Sequence, residues 1–231
     1  MFRFKEFQVD DSLAAMKVGT DGVLLGAWTA VEHSRNILDV GTGSGLIALM
    51  VAQRSGADVV AVDISEDAVR QAEYNVAQSP WSERVEVRLG DIRTMTFDCM
   101  FDHIVSNPPY FEESLLSPDA ERNLARHTTT LSFEEFVGAA ERLLIDGGLL
   151  SVVLPADAAA RFRRVAFGRL WLVRQLDVAT KQGEAAKRTL MEFTKSDSPS
   201  MPCCETLAIH FLDGSYSDDY RRLTQDFYLK F

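Results

Sequence analysis

The chain has 231 residues and a mass of 25.8 kDa, with 46% hydrophobic and 25% charged residues, a balance that excludes intrinsic disorder. Its 24 Lys and Arg against 34 Asp and Glu leave a formal charge of −10, which argues against nonspecific adhesion to nucleic acid over the whole surface. No apolar run approaches the roughly 20 residues of a membrane span, and Met1-Phe2-Arg3-Phe4-Lys5 lacks the apolar stretch of a signal peptide, so a cytoplasmic protein without membrane contact is expected.

In chain order, residues 36–40 form a short apolar run that ends at glycines, and residues 46–54 follow with helical spacing. Residues 58–62 read as a buried strand. Residues 66–78 read as an amphipathic helix with Ser65 as its N-cap. Residues 85–89 alternate as a strand does, and residues 101–106 form another. A helix is predicted over 132–144, where Ser132 and Glu135 have capping-box spacing, and a strand over 149–154 follows the Gly147-Gly148 break. Strands alternating with helices imply a parallel sheet covered on both faces. The tail, with strand-like runs at 170–178, 189–194 and 206–212, predicts an antiparallel edge completing that sheet. One α/β domain over residues 34–231 is expected, preceded by a short appendage over residues 1–33.

Cys99, Cys203 and Cys204 are odd in number and two are adjacent, a poor disulfide framework, and no CxxC or His spacing accompanies them, so no metal is expected. His33, His103, His127 and His210 are scattered without ligand spacing.

Asp39-Val40-Gly41-Thr42-Gly43-Ser44-Gly45 closes the first of these strands and opens a helix. Gly41, Gly43 and Gly45 let the backbone turn tightly and admit a ligand, and the helix start offers free N–H groups. The dinucleotide spacing would need glycine at position 46, which is Leu46. Asp63 ends the next strand, where a carboxylate can accept two ribose hydroxyls, and Gly90-Asp91 ends the one after it on the same carboxyl edge. A nucleoside-cofactor site is expected there.

After the fourth strand comes Ser106-Asn107-Pro108-Pro109-Tyr110-Phe111. Its prolines stiffen the backbone and remove two donors, Asn107 adds a side-chain carbonyl and Tyr110 an aromatic face. Here the chain resembles class I S-adenosylmethionine-dependent methyltransferases that act on planar amine or amide nitrogens, which share the Asn-Pro-Pro-Tyr motif. The run Met16-Lys17-Val18-Gly19-Thr20-Asp21-Gly22-Val23-Leu24-Leu25-Gly26-Ala27-Trp28, with Phe4-Lys5-Glu6-Phe7-Gln8-Val9 before it, narrows the likeness to the bacterial tRNA(Val) adenine-N6 methyltransferases.

That resemblance implies a Rossmann-like, seven-stranded, mostly parallel sheet with an antiparallel edge strand and helices on both faces. It implies S-adenosylmethionine as cofactor, held by Asp39, Gly41, Gly43, Gly45, Asp63, Asp91 and Asn107. Methylation would fall on the adenine immediately 3′ of the anticodon of tRNA(Val), with Asn107, Pro108 and Tyr110 catalytic. Lys17, Thr20 and Asp21 would line the mouth of the site, although Thr20 and Asp21 also suit a helix N-cap. A monomer is the expected state.

Charge is uneven along the chain. Residues 161–195 hold nine basic residues against three acidic ones. Within them, residues 161–174 also read as a solvated helix face, so the glycine-containing connection 181–188, with Lys187 and Arg188, is the better RNA contact. Arg122, Arg126 and His127 form a second basic group after the Asn-Pro-Pro-Tyr element. The same motif also serves glutamine-N5 methylation of proteins, but those enzymes usually carry a helical domain ahead of the glycine loop. DNA adenine methylation lacks an evident recognition insertion here. A non-catalytic nucleoside or RNA binder would not need Asn107 and Tyr110, and a nicotinamide oxidoreductase would need a different glycine spacing.

Overall fold

The computed structural model describes residues 1–13, 17–108, 131–196 and 201–230. A two-stranded ribbon, β1 (Phe2–Arg3) and β2 (Gln8–Val9), opens the chain and is followed by helix α1 (Thr20–Trp28). The body then alternates β3 (Asn36–Val40), α2 (Leu46–Arg54), β4 (Asp58–Asp63), α3 (Glu66–Ala77), β5 (Val85–Leu89) and β6 (Phe101–Ser106). After it come α4 (Phe133–Leu143), β7 (Leu144–Pro155), α5 (Ala156–Ala166), β8 (Trp171–Lys181), β9 (Ala186–Thr194), β10 (Cys203–His210) and α6 (Asp218–Thr224).

Among the described residues the main sheet has eight strands in the order β10-β8-β9-β7-β6-β3-β4-β5. All neighbours pair parallel except β9, which is antiparallel to both β7 and β8. The expected architecture stands with two differences: β10 is an eighth strand, and the reversed strand is internal. Both follow from the order of pairing. The short turn between β8 and β9 lets them close as a hairpin, β9 fills the open side of β7, and β10 adds to the side of β8 left over.

Side chains alternate between the two faces along each strand. Ile37, Val59, Ala61 and Val105 join one hydrophobic cluster with α1, α2 and α6. Leu38, Val62, Ile104 and Val152 join another with α4 and α5. Period-2 burial on both sides is why these strands read as unbroken apolar runs. The caps read from the sequence are present. Ser65 accepts from Ala68 N at 3.4 Å, and Ser132 and Glu135 form a reciprocal capping box.

The N-terminal segment shares the first of these clusters. Phe4, Phe7 and Val9 are buried in it, Phe4 and Phe7 stack at 4.6 Å, and Lys5 N donates to Phe227 O at 2.9 Å. Helix α1 buries every residue from Gly22 to Trp28. Gly26 permits its close approach to α2, since a Cβ there would lie 2.7 Å from Met50 Sδ. Burial of Leu24 and Leu25 alone contributes about 1.5–3 kcal/mol each.

One buried polar group crosses this core. His103 Nε2 lies 2.9 Å from both Thr29 Oγ1 and Ser151 Oγ, and Ser151 donates to Glu192 Oε2 at 2.9 Å. Arg174 reaches the other Glu192 oxygen at 3.1 Å while stacking over Trp28 at 4.3 Å. Burial pushes the His103 pKa down to about 4, so the ring is neutral, and Glu192 opposes that shift.

Candidate active site

The register of four adjacent strands sets the site. Val40 of β3 lies opposite Ser106 of β6 on one side and Val62 of β4 on the other, and Asp63 lies opposite Leu89 of β5. One residue beyond these pairs, the carboxyl edge therefore presents Asn107, Gly41, Asp63 and the Gly90-Asp91 turn in lateral order, spaced by about 4.8 Å per strand. Ser106 Oγ donates to Val40 O at 2.7 Å and ties the start of the Asn-Pro-Pro-Tyr element to the strand that launches the glycine loop.

The loop is held from inside and open outside. Gly41, Gly43 and Gly45 have φ of 71°, 57° and 80°, the left-handed region that glycine alone enters cheaply. A Cβ on Gly41 or Gly43 would meet no atom within 4 Å, whereas one on Gly45 would meet the Ala72 Cβ at 3.4 Å. Two glycines thus face open space and the third abuts α3. Gly41 N and Thr42 N donate to Val62 O at 2.8 and 3.0 Å, and Gly43 N donates to Asp63 Oδ2 at 2.9 Å.

Asp39 works beneath the loop. It is fully buried, and its Oδ2 accepts from Thr42 Oγ1 at 2.6 Å and Ala48 N at 3.1 Å, joining loop to helix start. Its Oδ1 is buried without a hydrogen-bond partner among the described residues. Burial raises its pKa to about 7 against the pull of those two donors. Asp91 sits at the expected edge position, with its carboxylate gripped by the Arg93 guanidinium at 2.6–2.9 Å and by Arg93 N at 2.9 Å. Those bonds hold its carboxyl below the usual range, so it stays ionised.

Asn107 is half-buried and Pro108 buried at the end of β6. Tyr110, Arg126 and His127, with the rest of residues 109–130, lie outside the described residues. Thr20 opens α1, whose N-cap is Gly19 with no side-chain bond, so neither Thr20 nor Asp21 caps the helix. Asp21 instead makes a close charge contact with Arg188 on β9, whose register partner Pro155 is the last residue of β7. Because β9 runs backwards, its first residues lie at the carboxyl edge. Lys187 is exposed there. Lys17 is caught by the carbonyls of Asp11 and Ser12.

The rest of the basic segment divides. Arg169 pairs with Glu141 and Arg174 with Glu192. Arg161, over the Phe133 ring, lies with Arg163 and Arg164 well down α5 from the edge.

Two residues that sequence reasoning passed over organise this edge. Asn75 on α3 is 2% exposed, donates to Ser44 O at 2.8 Å and to Asp10 O at 2.7 Å, and accepts from Asp10 N at 2.9 Å. Gln71, one turn earlier, accepts from Leu13 N at 2.9 Å. They clasp the N-terminal segment to the glycine loop. Their signal was two amides four residues apart, on a helix face otherwise occupied by Ala68, Ala72 and Val76.

Known proteins resemble this chain in sequence and in fold. The family described as "Methyltransferase small domain" matches residues 14–175. A tRNA1(Val) (adenine(37)-N6)-methyltransferase of Phocaeicola vulgatus is 50% identical over 230 residues, covering 99% of this chain and 97% of that protein. One of the same name from Actinobacillus succinogenes is 43% identical over 234 residues, covering 100% and 98%. Among solved structures, a "predicted O-methyltransferase" of Agrobacterium tumefaciens superposes with a TM-score of 0.69 at 22% identity, covering 90% of this chain and 96% of that one, which is a likeness of fold.

Proposed function

Since the chain belongs to the methyltransferase small domain family, we propose that it transfers a methyl group from S-adenosylmethionine to the N6 amine of an adenine in tRNA, the adenine 3′ of the anticodon of tRNA(Val). The observation that carries this reading is the identity of 50% across 99% of the chain to a relative named for that reaction. The edge order Asn107, Gly41, Asp63, Asp91 supports it chemically.

The residues fit the cofactor: a left-handed loop with two glycines facing open space admits the methionine part, and Asp63 beside it suits the ribose hydroxyls. Asp91 would meet the adenine of the cofactor, and Asp39 keeps the loop in shape from below. Bound S-adenosylmethionine supplies a methyl group already activated on a sulfonium, so no metal and no strong general base is required.

The exocyclic amine of adenine is a poor nucleophile because its lone pair is delocalised into the ring. In this reading the Asn107 side-chain oxygen and the Pro108 carbonyl each accept one N–H of that amine. They favour a pyramidal nitrogen and stabilise the positive charge that develops on it, so they act most strongly in the transition state. Tyr110 would stack on the extruded base. Lys17, Thr20 and Asp21 would border the mouth, and Lys187, Arg188, Arg126 and His127 would meet the RNA backbone. A tRNA substrate also sets the work in the cytoplasm.

The test is incubation with labelled S-adenosylmethionine and either bacterial tRNA or a protein extract, followed by digestion to nucleosides. Label is expected in N6-methyladenosine from tRNA. Label in protein and none in tRNA would favour glutamine methylation and overturn the substrate assignment.

A further inference from the structure

Two buried amides on α3 pin the N-terminal segment in place. Asn75 meets both backbone groups of Asp10: its Oδ1 accepts from Asp10 N at 2.9 Å and its Nδ2 donates to Asp10 O at 2.7 Å. A side chain here makes the two-bond exchange of a paired strand residue. The same Nδ2 donates to Ser44 O, inside the glycine loop, at 2.8 Å. Both N–H donors of the amide are engaged by carbonyls and its oxygen by an N–H, so it has one orientation. Gln71, as deeply buried as Asn75, accepts from Leu13 N at 2.9 Å and from Ser12 Oγ at 3.3 Å. Gln71 thus touches the segment alone, and Asn75 touches the segment and the loop.

From that clasp the chain continues to the other side of the site. Asp10 Oδ1 accepts from Ser12 N at 3.0 Å, Asp11 Oδ2 accepts from Val18 N at 2.9 Å, and Lys17 donates to the carbonyls of Asp11 and Ser12. Val18 leads through the Gly19 N-cap into α1, whose Asp21 contacts Arg188 near the start of β9. One anchor, Ser44, follows β3, and the other, Arg188, belongs to β9. These strands stand three places apart in the sheet, roughly 14 Å at ~4.8 Å per strand. Strand β6, which leads into Asn107, lies between them. The two anchors therefore straddle the Asn-Pro-Pro-Tyr element.

We propose that Gln71 and Asn75 are positioning residues for the RNA substrate: they hold the N-terminal segment as a rim against the glycine loop, where the RNA seats beside Asn107. The proposal rests on the tRNA reading above. Groups that meet a substrate act in a fixed place only when residues behind them are locked by packing and hydrogen bonds, and these two amides are the buried support of an otherwise half-exposed segment. Their contacts divide the effects. Loss of Gln71 loosens the rim alone and should act on RNA. Loss of Asn75 also frees Ser44 and should act on RNA and cofactor together.

The test determines KM and kcat for tRNA, and S-adenosylmethionine affinity by calorimetric titration, in the wild type, Gln71→Met, Gln71→Glu, Asn75→Ala and Asp11→Ala. Gln71→Met fills similar space without the acceptor. It should raise KM for tRNA between roughly twofold and tenfold, the range of a neutral hydrogen bond, while kcat at saturating RNA and cofactor affinity hold. Gln71→Glu keeps an acceptor for Leu13 N and Ser12 Oγ and should return KM toward the wild-type value. Asn75→Ala should raise KM and weaken cofactor binding together. Asp11→Ala releases Val18 N at a half-buried position, without touching either amide, and should reproduce the KM effect; it decides the matter if Gln71→Met fails to fold. An unchanged KM in folded Gln71→Met would overturn the positioning role. So would a loss of cofactor affinity in step with KM in that variant, the mark of a general loosening of α3. A wild type that methylates no tRNA overturns the substrate reading itself, whereas an active wild type with an unchanged KM in these variants overturns the clasp alone.

Discussion

The side chain of Asp63, at the end of β4, accepts the backbone N–H of Gly43 at 2.9 Å, so the acidic residue and the glycine loop form one hydrogen-bonded unit although they come from different strands. The bond tethers the left-handed loop to the carboxyl end of β4. Asp63→Ala removes both the loop tether and the proposed ribose acceptor. Hydrogen bonds to charged groups contribute about 1.5–3 kcal/mol, so cofactor affinity should fall by roughly tenfold to a hundredfold in calorimetric titration. An unchanged affinity would remove Asp63 from the site.

Gly43→Ala separates strain from obstruction. A φ of 57° costs a residue with Cβ about 1 kcal/mol, and the added methyl meets no protein atom. The thermal midpoint should therefore fall only slightly. Cofactor affinity should fall much further, because the methyl occupies the space read as the cofactor's. Equal modest losses in both would argue that the loop faces solvent rather than ligand.

Asn107→Ala should reduce methyl transfer to tRNA by at least about a hundredfold, the loss typical of removing one group that stabilises transition-state charge. Binding of S-adenosylmethionine should survive, since the glycine loop and Asp63 are untouched. Full activity would sink the role assigned to the amide oxygen.

Replacing Lys187 and Arg188 together with Ala should weaken RNA binding and lower the slope of log affinity against log salt by roughly 1.4, at about 0.7 per single-strand phosphate contact. The change also leaves Asp21 without its Arg188 contact at the edge proposed to face the RNA. An unchanged slope would discard this turn as a phosphate contact.

His103 makes stability depend on pH in a defined direction. Its folded pKa of about 4 lies below the ordinary 6.5, so the unfolded chain binds the extra proton between those values. The stability from holding it neutral is complete above pH 6.5 and is lost as pH falls through 4. Urea denaturation of wild type and His103→Gln should show the gap between them narrowing by about 3 kcal/mol across that window. A constant gap would mean the ring is solvated or charged in the fold.

The caps at Ser65 and Ser132, the strand ends at Val40 and Asp63, and the glycine loop were legible because each rests on local chemistry: a hydroxyl before a helix, a period of two, a residue without Cβ. The internal place of β9 was not, because which strand edge a hairpin fills is a long-range choice that periodicity does not carry. The grip of Arg93 on Asp91 and the clasp of Asn75 on Asp10 and Ser44 were equally hidden, being side-chain pairings rather than patterns. The two-residue strands of β1 and β2 are too short to show any period at all.

The reversal of β9 has an architectural consequence. Strands β3, β4 and β7 run toward the same rim and each is followed by a helix, so changing what their ends present disturbs the helix that follows. The antiparallel strand delivers its beginning, joined to β8 by a short turn with no helix to reseat. That turn can lengthen, shorten or exchange charges while Gly41, Asp63 and Asn107 keep their register. If this turn meets the RNA as proposed, substrate preference is mechanically decoupled from chemistry, since the turn can change without moving the strand ends that carry Gly41, Asp63 and Asn107.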